Sequence, residues 1–192
     1  MNSGMGKGSA YGSPARWFAG LALIAAMWVV AFANDDKVPG LEYVNLGLHE
    51  FGHMLTYASS DLTKALAGSI AQVAIPAAIA LYWFFRRGDW VVAGVCLMWA
   101  ATSSLEVALY VADAPTEKLD LIAGDHDWAF ILGPDGYGAM DQAKQLAGTI
   151  REWAGVAAVV GFIVCLAAPL RGRRRPQPEG MAAPSRATAA SS

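Results

Sequence analysis

An all-α, polytopic membrane helix bundle is the architecture this 192-residue chain predicts. Three observations predict it. Hydrophobic residues make up 55% of the chain and charged residues 16%, and the mean hydropathy is +0.35, too apolar for a soluble domain of this size. The apolar residues are gathered into long blocks instead of alternating with polar ones. Four of these blocks approach the ~20 residues that a helix needs to cross ~30 Å of hydrocarbon.

Residues 1–14, rich in Gly and Ser, are expected to be disordered. Residues 18–33 carry no charge and form the first span. Ala31-Phe32-Ala33 after a basic flank resembles a signal-peptide cleavage site, but the apolar run exceeds a usual signal core, so this span is read as an uncleaved anchor. Residues 41–58 form an amphipathic helix in which Glu42, Asn45, His49, Glu50, His53 and Thr56 recur at three- and four-residue steps. That helix either spans the membrane or dips halfway and returns. Residues 66–85, 90–113 and 153–170 supply the other three spans, with Glu106 the one charge inside 90–113 before its end. One membrane-embedded domain thus covers 15–170, with an external loop at about 114–151, and a basic disordered tail follows at 171–192.

Charge orients the spans. Arg86 and Arg87 end the second, and Arg171, Arg173, Arg174 and Arg175 end the last, so both ends should be cytoplasmic by the positive-inside rule. The stretch from Asp113 to Glu152 then faces the extracytoplasmic side, and His53 lies near that side. Cys96 and Cys165 fall inside spans and read as small apolar fillers, not as a disulfide. With 14 basic against 16 acidic residues and no glycine-rich phosphate loop, the lipid bilayer is the expected partner and nucleic acid is not. Oligomeric state is left open.

The chemistry is carried by His49-Glu50-Phe51-Gly52-His53, an HExxH pattern in a chain with three histidines. Positions i and i+4 share one helix face, so both imidazoles reach a single metal ion and Glu50 stands beside it as a general base. Gly52 either leaves space beside the metal or permits close helix packing. The bland alternative is a histidine pair that only hydrogen-bonds within the core. A catalytic zinc site needs three protein ligands and one open position. The candidates for the third are Asp113, at the end of a rigid helix, and His126, within Gly124-Asp125-His126-Asp127-Trp128. Glu106 is costly inside a span unless it faces a polar interior. Ser103, Glu106, Tyr110 and Asp113 draw a polar stripe, and Ser69 and Gln72 add to it from the preceding span. Glu106, Tyr110, Gln72 and Asp127 are expected to line a cavity at the metal or to support its ligands. A bis-histidine haem is disfavoured, because two histidines on one helix turn cannot take opposite faces of a porphyrin.

The HExxH helix, the span after it and the span bearing Asp113 resemble the three-helix core of site-2-protease-type intramembrane zinc metallopeptidases, over roughly residues 41–113. The resemblance implies one zinc ion held by His49, His53 and Asp113, with Glu50 activating water to hydrolyse a peptide or membrane-protein substrate. His126-Asp127-Trp128 with Ile131-Leu132-Gly133 is also similar to a group of small bacterial membrane proteins that carry an HExxH helix, which implies a bacterial cytoplasmic membrane. The competing expectation is a metal-binding membrane protein without proteolytic activity, acting as a chaperone, sensor or assembly factor. It rests on how little soluble mass the chain has for recognising a substrate.

Overall fold

A computed structural model describes residues 13–119 and 126–172. α1 (Pro14–Ala33) starts on a proline, tolerated there because the first-turn N–H has no helical partner, and Ser13 Oγ accepts from the Arg16 N–H. α2 (Leu41–Leu55) carries the HExxH sequence. α3 (Asp61–Tyr82) is capped by Ser60, runs unbroken through Pro76, and continues as a π-helical turn, Trp83–Arg87. Gly88 ends that turn at φ 65°, a left-handed conformation that favours glycine. α4 (Trp90–Asp113) is capped by Asp89, which accepts from the Val92 N–H. α5 (Asp127–Leu132), α6 (Ala143–Leu166) and α7 (Ala168–Gly172) complete the order, and no strand occurs among the described residues.

Four segments, Pro14–Ala33, Asp61–Arg87, Trp90–Asp113 and Met140–Leu170, are long and apolar enough to cross a membrane. They contain the four predicted blocks. α4 is the central helix and packs against α1, α3 and α6. Its approach to α6 is set by glycines: a Cβ at Gly94 would lie 2.6 Å from the Gly161 carbonyl oxygen, a separation only backbone without side chains allows. Ile24, Met27 and Ala31 of α1 are buried in the bundle, so this helix is part of the core. Arg16 pairs with Asp89 where α1 and α4 begin, and Arg151 of α6 pairs with Asp36 after α1.

α2 has 15 residues, about 22 Å at 1.5 Å per residue and short of the ~30 Å hydrocarbon layer. It runs antiparallel to α3. Leu41 packs against the cluster that contains Ile24, Met27 and Met98, whereas His53 lies against Lys64 near the start of α3. α2 is thus not among the helices long and apolar enough to cross a membrane, and its length matches the half-length arrangement of the two expected.

Three sequence boundaries shift. Ser13 caps α1, and Pro14 and the backbone of residues 171–172 are helical, while residues 1–12 and 173–192 of the expected disordered ends, including Lys7 and Arg173 to Arg175, lie outside the described residues. The predicted loop at 114–151 contains α5 and the first turns of α6, because Ala143 and Ala147 bury against α4 and α5 and extend that helix upstream of its apolar block.

Candidate metal centre

α2 places His49 and His53 one turn apart on the face turned to α3, with their ring centroids 4.7 Å apart. Two glycines make this possible. A Cβ at Gly52 would strike the Ala67 carbonyl, so Gly52 brings α2 onto α3 and does not open space at the metal position. A Cβ at Gly68 would land on the His49 ring at Nε2. Gly68, which the sequence reading overlooked, is the residue that makes room for the imidazole.

Each ring is oriented from behind. His53 Nδ1 lies 2.8 Å from the Lys64 carbonyl oxygen. A carbonyl only accepts, so Nδ1 carries the proton and Nε2 of the neutral ring keeps its lone pair. His49 Nδ1 lies 2.8 Å from Gln72 Oε1, and Gln72 Nε2 donates to the Ser103 carbonyl at 3.4 Å, which fixes the amide so that its oxygen faces the histidine. Gln72 therefore orients His49, the position from which the sequence made it a candidate support. Ligand atoms of His49, Glu50 and His53 all lie within 4.8 Å of one another, a group that can hold a metal ion.

Asp127 reaches the same point. Its Oδ2 is 2.9 Å from His49 Nε2 and 3.3 Å from His53 Nε2. Burial alone would lower the His49 pKa, but the hydrogen bonds to Asp127 and Gln72 and the charges of Asp127 and Glu50 outweigh it, and the net shift is upward. α5 is what delivers Asp127. Trp128 is buried and donates from Nε1 to Ser69 Oγ at 3.0 Å, Ile131 and Leu132 are buried, and Tyr110 Oη accepts the Asp127 N–H at 3.0 Å.

Of the two residues proposed from sequence as the third ligand, His126 lines the same cavity as His49 and His53, and Asp113 is paired with it. Asp113 ends α4 with its carboxylate turned to the following loop, accepting from Thr116 Oγ1 at 2.7 Å, Lys118 N at 3.1 Å and Leu119 N at 2.9 Å. His126 is buried and caps α5: Nδ1 accepts the Ala129 N–H at 3.2 Å, so Nε2 holds the proton, and it faces Asp113 Oδ2 at 3.5 Å. A ring nitrogen bearing a proton has no lone pair for a metal. The two candidates pair with each other.

Glu106 takes the polar interior its position demanded. Asn45, buried in α2, donates to Glu106 Oε2 at 2.9 Å and accepts from Trp99 Nε1 at 2.7 Å and Ser103 Oγ at 2.9 Å. Glu106, Gln72, Tyr110 and Asp127 all line one open cavity of about 890 Å³ with His49, Glu50 and His53. Glu50 is exposed to it.

The donor set suits a dication. Atoms bound tetrahedrally at ~2.0–2.1 Å stand ~3.3 Å apart, close to the separations found between Asp127 and the two imidazoles. With the fold and this geometry in view, comparison with known proteins adds no relative: no family model, no curated protein and no solved structure matches the chain.

Proposed function

We propose that this chain is a membrane-embedded zinc-dependent peptidase whose site opens on the extracytoplasmic side. The observation that carries the reading is the pair of imidazoles held with Nε2 toward a common point, with the Glu50 carboxylate beside them in an open cavity. Zinc suits imidazole and carboxylate donors, and when bound it would acidify water and polarise a carbonyl. Glu50 accepts the proton of the attacking water and returns it to the leaving amine. Tyr110 Oη already accepts the Asp127 N–H, so its own proton is available to an oxygen that gains charge in the cavity. Gln72 and the Lys64 carbonyl keep both imidazoles aimed. The site is at the opposite end of α3 from Arg86 and Arg87, which supports its extracytoplasmic location.

The test is peptide cleavage by the purified, zinc-loaded chain followed by mass spectrometry. Glu50→Gln should keep its zinc and lose at least 100-fold in turnover, the range of general-base catalysis. Full activity in that variant would refute the role of Glu50. Equal zinc affinity with no turnover in either protein would favour a non-proteolytic metal-binding protein.

A further inference from the structure

The geometry points to Asp127 as the third metal ligand, completing a two-histidine, one-carboxylate site, with the His126–Asp113 pair acting as a positioning device for it. The inference rests on the metal half of the function proposed above.

One oxygen, Asp127 Oδ2, is shared between Nε2 of His49 and Nε2 of His53. Each histidine already commits its Nδ1 proton to an acceptor, Gln72 Oε1 or the Lys64 carbonyl. For both rings to donate to Asp127 as well, both would have to be cations. A single dication supplies the same charge at one point and satisfies all three atoms with their lone pairs free. Glu50, also within reach, belongs to the HExxH helix and faces the cavity, which leaves it for proton transfer.

Asp127 is delivered by constraints on either side of it. His126 Nδ1 accepts the Ala129 N–H and its Nε2 faces Asp113, Tyr110 Oη holds the Asp127 N–H, and the Tyr110 and His126 rings lie 4.3 Å apart. Trp128 Nε1 is fastened to Ser69. His126 and Asp113 therefore act through Asp127 and do not touch the ion.

Cobalt(II) is the probe, added to the full chain in detergent, with affinity read by chelator competition and ligand identity by the visible spectrum. Asp127→Asn should weaken cobalt binding more than 100-fold, beyond the 10–100-fold usual for residues that only support a ligand. Asp127→Cys should acquire a thiolate-to-cobalt charge-transfer band, while Asp113→Cys and His126→Cys should not. Cobalt affinity within threefold of wild type in Asp127→Asn, or absence of the band in Asp127→Cys, overturns the assignment. These readouts need no turnover. A chain that shows the band but cleaves nothing keeps the ligand and loses the peptidase reading, whereas an active peptidase with unchanged cobalt binding in Asp127→Asn does the reverse.

Discussion

Replacing Gly68 with alanine tests the packing beneath the centre. The added Cβ would stand 2.6 Å from His49 Cδ2 and 2.7 Å from Cε1, and would also press on Nε2. Ordinary contact between carbons is ~3.5–4.0 Å, so the ring must retreat by about 1 Å. His49 Nδ1 is 2.8 Å from Gln72 Oε1, and a retreat of that size breaks the bond. Coordination distances tolerate only about ±0.2 Å. The expected cost is therefore that of losing a ligand's supporting contact, about 10–100-fold in metal affinity, or about 1.4–2.7 kcal/mol. Overpacking should also lower the stability of the metal-free chain by about 1–3 kcal/mol. Gly47, in the same helix as His49, has nothing within 4 Å of its would-be Cβ and serves as the control. Gly47→Ala should leave affinity unchanged and stabilise α2 by up to about 1 kcal/mol. The assay is zinc competition titration beside thermal melting with and without metal. Zinc affinity in Gly68→Ala within threefold of wild type would refute the claim that this glycine seats the imidazole.

Asn45→Leu removes three hydrogen bonds joining α2 to α4. At ~0.6 kcal/mol per interhelical bond in membrane proteins the loss is about 2 kcal/mol, read from the unfolding midpoint in mixed micelles, and a change below about 0.5 kcal/mol would contradict its bridging role. The raised His49 pKa gives a pH dependence of definite sign. In the metal-free chain the His49 proton contributes stability that is full below the ordinary value of about 6.5 and fades as the pH rises through the raised one. A metal must displace that proton, so metal affinity should climb over the same interval, and calorimetry showing affinity independent of pH from 5 to 8 would rule this out.

The four spans were legible in the sequence because an uninterrupted apolar block of helix length has few other stable homes. The HExxH spacing was legible too, since i and i+4 share a face whatever surrounds the helix. The proposed third ligand was not. Asp113 follows Ser103, Glu106 and Tyr110 at helical steps, but it is the last residue of α4, and the unsatisfied N–H groups of Lys118 and Leu119 draw its carboxylate outward. His126 has the better ligand chemistry, yet the local need to cap α5 consumes its lone pair. Asp127 gains its position only through contacts distant in sequence, from Trp128 to Ser69 and from its own N–H to Tyr110. The partner of His53 is a backbone carbonyl, which no side-chain pattern reveals. Gly52 and Gly68 are equally silent in sequence, because the atoms that would collide with them belong to the facing helix.

Metal content of the purified chain, measured by mass spectrometry after loading with zinc and removal of excess, bears most directly on the whole account. Wild type should retain about one ion per chain, and His49→Ala and His53→Ala should each fall at least tenfold in occupancy at the same free zinc. Occupancy that is negligible in wild type, or unchanged when either imidazole is removed, would contradict it.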